Sequence, residues 1–251
     1  MISLKNKNVL VTGGSRGIGK ACVESFLKAG ANVAFTYHSA KEEAHKIINE
    51  NRNTSKIKSY QVNLSDFNEV EKNVKEILFD FGRIDVLVNN AGIWKEAAVD
   101  KMTLEEWNET LNVNLTSSFL IIKLLVAKMK ENRFGRIINI ASTAGQRGEA
   151  FHSHYASSKG GIISLTKSLA SELGEFNITV NCVAPGWVIT DMTTDSLNDK
   201  KIYNKVLSDI PLRKIAQPEE IAGPVLFLAS DLASHIAGEI LNVNGGSVLC
   251  G

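Results

Sequence analysis

At 251 residues, with 44% hydrophobic and 22% charged side chains, the chain has the make-up of a globular protein with a large core. Its net charge of +1 excludes the basic field that nucleic acid or an anionic lipid surface would require. The cysteines, Cys22, Cys182 and Cys250, are odd in number and widely spaced, which speaks against a disulfide framework and a metal site and fits a reducing cytoplasm.

Met1 to Asn8 carry lysines but no apolar stretch of a secretory leader, and Lys123 interrupts the best candidate for a membrane span, 119–127. From there, short β-branched runs alternate with longer patterns of helical period. Strands are expected at 9–12, 33–37, 57–62, 86–89, 136–142, 179–184 and 240–243. Helices are expected at 17–29, 41–52, 66–81, 104–131, 154–174 and 218–230, the last with Pro218 in its first turn. Parallel strands need crossovers, and right-handed crossovers place helices on both faces. The prediction is therefore a single α/β domain over 1–251, a doubly wound, parallel, seven-stranded Rossmann sheet. The polar stretch 190–214 follows the sixth strand and is expected over the carboxyl ends of the strands as a mobile substrate lid; a solvated helix pair is the plainer alternative.

A nucleotide site is expected where the first strand meets the first helix. Gly13, Gly17 and Gly19, with Ser15, Arg16 and Ile18 between them, form a turn whose glycines let the backbone approach a pyrophosphate held by free N–H groups. Asn89-Asn90-Ala91-Gly92 ends the fourth strand with small residues and amides suited to passing the adenosine side and tying strands together. Asn63, with Leu64 beside it, is placed to meet the adenine edge or to serve as a turn. At the end of the second strand stand Thr36, Tyr37 and His38, and no Asp or Glu occurs between Glu24 and Glu42. An NAD site usually has a carboxylate there for the ribose hydroxyls. Its absence, with Arg16, His38 and Lys41 nearby, favours NADP(H) over NAD(H).

Tyr155 and Lys159 are four apart on a predicted helix and share a face, so the ammonium is expected to lower the phenol toward working pH. Ser142 supplies a hydroxyl to orient a carbonyl oxygen. His152 and His154 flank the tyrosine as loop residues; with no Asp partner and no nucleophile elbow they do not make a histidine-catalysed site. Cys182 reads as a small buried hydrophobe. Trp187 either lines the substrate cleft or anchors its loop.

These pieces in this order resemble the short-chain dehydrogenase/reductase family over essentially the whole chain. The resemblance implies a catalytic tetrad of Asn114, Ser142, Tyr155 and Lys159. In it Tyr155 passes the proton, Lys159 also grips the nicotinamide ribose, and Asn114 binds a water that relays protons. It also implies that Pro185, Gly186, Val188 and Thr190 turn the chain past the nicotinamide amide.

Within the family the likeness is greatest to 3-oxoacyl-[acyl-carrier-protein] reductases, through Arg16, Ile137 to Ser142, and Ala237 to Gly246. An acyl carrier protein partner asks for basic residues at the cleft mouth. Arg133 falls at one such position, while Glu175-Phe176 at the other supplies no positive charge. The alternative substrates are a free sugar, steroid or cyclic alcohol, and the alternative of a different class is a nucleotide-sensing regulator without turnover. Helices 104–131 and 154–174 carry Phe119, Ile122, Leu125, Ile162, Leu165 and Leu169 on more than one side, from which a homotetramer is expected.

Overall fold

Alternating side chains along each parallel strand build two cores at once. The computed structural model describes residues 2–52 and 55–249, so Cys250 lies outside the described residues. Its strands are β1 Asn8–Val11, β2 Asn32–Tyr37, β3 Ile57–Gln61, β4 Val86–Asn89, β5 Gly135–Ile140, β6 Ile178–Pro185 and β7 Ile240–Val243. They form one parallel sheet in the order β3-β2-β1-β4-β5-β6-β7. Val9, Val11, Val33, Phe35, Val86 and Val88 face a core completed by α1 Gly17–Lys28, α2 Lys41–Asn51 and α10 Pro218–Ala229. Leu10, Ala34, Leu87 and Ile137 face the opposite way, onto α3 Phe67–Phe81 and α5 Ser117–Asn132. The winding reverses between β1 and β4, and that crevice at the strands' carboxyl ends is where such sheets bind ligands.

The predicted helix over 104–131 is three pieces: α4 Leu104–Leu111, a π-helical turn Asn112–Thr116, and α5. By length and composition 104–132 is apolar enough to cross a membrane. In the fold, however, Ile121, Ile122, Leu125 and Met129 are core residues packed beneath the sheet. The same packing accounts for most of the apolar surplus from which assembly was expected. Ile122, Leu125 and Ile162 are buried within the subunit, Leu165 and Leu169 pack partly against its core, and only Phe119 is exposed, at 48%. A helix wedged between a sheet and its neighbours needs apolar side chains on more than one face without any partner subunit.

β5 ends two residues earlier than predicted because Ser142 becomes the cap of a single-turn helix, α6 Thr143–Arg147, which periodicity could not reveal. α7 Ser153–Leu173 follows. The 190–214 stretch contains α8 Asp191–Asn198 and α9 Lys200–Asp209, which pack through Leu197, Val206, Leu207 and Ile210 onto Trp187 and Ile215. Its base is pinned by a parallel bridge, with Ile189 N–H donating to Ala216 O at 2.9 Å and Ala216 N–H to Trp187 O at 3.2 Å.

Candidate active site

The glycine turn is held from behind by β4. Thr12 Oγ1 accepts the N–H groups of Asn90 and Ala91, both at 3.0 Å, and the Asn90 amide donates to the carbonyls of Thr12 at 2.9 Å and Gly13 at 3.2 Å. Gly13 and Gly17 have φ of +65° and +51°, and a Cβ on Gly19 would strike the Gly13 carbonyl. Arg16, the N-cap of α1, makes no side-chain cap. The first N–H groups of a 12-residue helix are thus left open toward a cavity of about 490 Å³ that runs on to Tyr155 and Lys159. An uncapped helix start above a glycine cradle fits the pyrophosphate of a dinucleotide.

The end of β2 is less uniform than its sequence. Thr36 is buried, and its Oγ1 accepts the Gly13 N–H at 3.2 Å, so it supports the turn from inside. Tyr37 is buried beside it and His38 is exposed at the rim. Among the described residues lining the cavity, the carboxylates are Glu109, bound by Lys95 at 2.6 Å, and Asp191, 3.3 Å from Arg16. Neither belongs to the β2 end, and the Arg16–Asp191 pair joins the glycine turn to the start of α8. Asn63 serves as a turn: its Oδ1 accepts from Ser65 N–H at 3.1 Å and Oγ at 2.8 Å, with Leu64 lining the cavity next to it.

Ser142, Tyr155 and Lys159 converge because α6 and α7 touch backbone to backbone. A Cβ on Gly145 would stand 2.5 Å from the Lys159 carbonyl carbon and 2.7 Å from the Gly160 nitrogen. Ser142 Oγ accepts the Ala144 N–H at 3.1 Å, and its hydroxyl lies near enough to Tyr155 to favour the phenolate. Lys159 is buried; its Nζ donates to Ile140 O at 2.7 Å and lies 5.7 Å from the centre of the Tyr155 ring. Asn114 sits in the π-helical turn, buried, with Oδ1 accepting Ile93 N–H at 2.8 Å and its amide donating to Ile93 O at 3.0 Å and Ser158 Oγ at 3.1 Å. One amide hydrogen therefore goes to the chain after β4 and the other to Ser158 on α7, tying the two together beside Lys159 and leaving the amide no donor for a water.

Electrostatics depart from the expected lowered phenol. Burial pushes Tyr155 up to about 12, opposed by the nearby Ser142 hydroxyl and aided by Glu149. Burial likewise pulls Lys159 down to about 8. The ammonium stands over the ring face and is satisfied by Ile140 O, so in this arrangement it does not draw the phenolic proton away.

A second, smaller cavity of about 70 Å³ opens on the far side of Ser142 and Tyr155. Trp94 and Trp187 wall it, edge to face with centroids 5.9 Å apart, so Trp187 both lines the cleft and packs against the α8–α9 cluster. His152 stacks on Trp94 at 4.5 Å, and its Nδ1 must carry a proton because it faces the Ala150 carbonyl at 2.9 Å. His154 is no loop residue: it lies in the first turn of α7, fully buried with both ring nitrogens unpartnered among the described residues, and burial lowers its pKa. Sequence spacing carried no signal for Trp94, Arg147, Glu149 or Met192, which reach this cavity from three separate segments.

Residues 13–247 match a family described as enoyl-(acyl carrier protein) reductase, within the short-chain dehydrogenases. The chain belongs to the short-chain dehydrogenase/reductase family. It is 41% identical over 242 residues, 96% of this chain and 97% of the relative, to the 3-oxoacyl-[acyl-carrier-protein] reductase FabG of Staphylococcus aureus. With the FabG of Aquifex aeolicus it shares 42% identity over 247 residues, 98% of each chain. Among solved structures it resembles a candidate NAD(P)-dependent gluconate 5-dehydrogenase from Beutenbergia cavernae with NADP bound at low occupancy. That match has a TM-score of 0.92 and 35% identity over 98% of both chains. In this short-chain dehydrogenase/reductase the predicted cofactor-contact residues, from Gly13 to Thr190, line the larger cavity with Ser142, Tyr155 and Lys159, and Asn114 stands behind it. Arg133 does not reach the cleft of its own subunit. It precedes β5 while Ser142 follows it, roughly 20 Å along the strand, and its guanidinium donates to Glu175 O at 2.8 Å.

Proposed function

We propose that the chain moves a hydride between NADP(H) and a carbonyl or secondary alcohol, with Tyr155 passing the proton. The observation that supports this most is the convergence of Ser142, Tyr155 and Lys159, the ammonium 5.7 Å from the centre of the tyrosine ring, at the end of the dinucleotide-sized cavity. When bound, the cofactor supplies or accepts the hydride. The protein must then neutralise an alkoxide as it forms. Ser142 orients the carbonyl oxygen, Tyr155 stays protonated at neutral pH and donates to it, and Lys159 offsets the charge left on the phenolate. Asn114 acts as a positioning residue. The open N–H groups of α1, with Arg16, are assigned to the phosphates, and the lack of a carboxylate at the end of β2 supports NADP(H).

For the substrate, the names of the 41–42% identical relatives support a 3-oxoacyl thioester, delivered in their case by acyl carrier protein. A second reading, a free polar oxo or hydroxy compound, is favoured by the small charged cavity beyond Ser142 and by the position of Arg133. The test is reduced-nicotinamide absorbance with NADPH or NADH against acetoacetyl-CoA and a panel of free ketones. Binding of NADPH without turnover of any ketone would leave a nucleotide-sensing role instead.

A further inference from the structure

We propose that the cavity beyond Ser142 and Tyr155 selects a short polar substrate bearing a carboxylate, and that Arg147 reads the carboxylate. This rests on the hydride-transfer reading of the same site and adds its substrate class. The cavity is small, about 70 Å³, and open to solvent, so its walls meet only the few substrate atoms next to the reacting carbonyl. Its walls are two indole rings, a guanidinium and a carboxylate, from Trp94, Trp187, Arg147 and Glu149. A long alkyl chain laid there would strip water from both charges without replacing their hydrogen bonds.

Arg147 is exposed, and among the described residues no ion-pair partner stands against it. Its backbone is nevertheless fixed. It is the last residue of α6, the next N–H, of Gly148, closes onto Ala144 O at 2.9 Å, and the preceding Gln146 donates to Asn242 Oδ1 at 2.7 Å. A guanidinium fork on the helix turn that Ser142 caps, its backbone fixed and its side chain free to turn to a ligand, matches a carboxylate a short distance from the carbonyl. Glu149, 3.9 Å from His152 Nδ1 and partly exposed, is left to accept from substrate hydroxyls. The Trp94–Trp187 corner, braced by the stacked His152, gives C–H groups an apolar wall. Together these recognise a short oxo acid or hydroxy acid with further hydroxyl groups.

The test compares 3-oxobutanoate with its uncharged methyl ester in the NADPH-dependent reaction, using the unmodified protein, Arg147→Gln and Arg147→Lys. The acid is expected to be preferred. Arg147→Gln should raise its KM about 10- to 100-fold, the worth of one charge-assisted hydrogen-bonded pair, with kcat and the ester little changed. Arg147→Lys should restore part of the loss. Equal KM for acid and ester, or equal effects of the substitution on both, overturns the proposal. A readout independent of turnover is tryptophan fluorescence, with D-gluconate titrated into the NADP⁺ complex. A saturable change that weakens in Arg147→Gln upholds the carboxylate site, and no saturable change in the unmodified protein overturns it. A saturable titration with no turnover of any ketone sinks the hydride-transfer reading and upholds the carboxylate site.

Discussion

Replacing Gly145 by Ala tests whether the backbone contact between α6 and α7 sets the catalytic geometry. The added Cβ would lie 2.5 Å from the Lys159 carbonyl carbon, 2.7 Å from the Gly160 nitrogen and 2.8 Å from the Lys159 oxygen. Carbon atoms rest at about 3.5–4.0 Å, so α6 must retreat from α7 by about 1 Å. None of the struck atoms can swing aside, because all are main chain. Overpacking of this kind costs about 1–3 kcal/mol of stability. The retreat also carries Ser142, the cap of α6, away from Tyr155, and a 1 Å misplacement of reacting groups costs on the order of 10²-fold in rate. The expected result is a fall in kcat of about that size, a moderately lower Tm, and NADPH binding close to normal because the glycine turn is untouched. Gly223→Ala serves as control: Gly223 is exposed within α10 with nothing within 4 Å of a new Cβ, so stability should rise by up to about 1 kcal/mol with activity unchanged. A Gly145→Ala protein with full turnover would refute the argument that this contact aligns Ser142 with Tyr155.

Tyr155→Phe should keep NADPH affinity, measured by fluorescence titration, while turnover falls by about 10²–10⁴-fold; near-normal turnover would remove Tyr155 from the proton path. Lys159 sits at about 8 and Tyr155 at about 12, so both are protonated below pH 8 and ketone reduction should decline as pH rises through about 8. A profile flat across that range counts against Lys159. The sign for stability is opposite: between about 8 and the ordinary lysine value the unfolded chain binds the extra proton, so the Lys159 contribution to stability rises with pH. For cofactor choice the informative change is at exposed His38, since an aspartate at buried Thr36 would lose the support given to Gly13. His38→Asp should weaken NADPH binding about tenfold or more and improve NADH, and an unmodified protein that binds both equally in the same titration would contradict the charge argument. We also expect a homotetramer, with exposed Phe119 and Leu104 among the apolar residues covered; a monomeric mass by light scattering at full activity would exclude it.

The sequence alone determined what depends on local order: seven parallel strands with helices on both faces, the glycine turn, and the Tyr155–Lys159 pair one helical turn apart. Side-chain period, glycine at positive φ and i,i+4 spacing are properties of a few consecutive residues, so they are legible without neighbours. Tertiary structure alone decided the rest. Thr36 differs from His38, two residues away, because β2 ends at Tyr37: Thr36 is buried inside the strand and His38 stands exposed beyond it. Asn114 lies in a π-helical turn and spends its amide on Ile93 and Ser158, where the family resemblance implied a water-binding role. Arg133 and Ser142 are close in the chain yet stand at opposite ends of β5. The raised phenol of Tyr155 and the lowered ammonium of Lys159 come from burial, a sum over atoms from β5, α6 and α7 that no spacing encodes. The substrate-side cavity is the extreme case: Trp94, Arg147, Trp187 and Met192 meet only because the segments after β4, β5 and β6 begin at the same edge of one sheet.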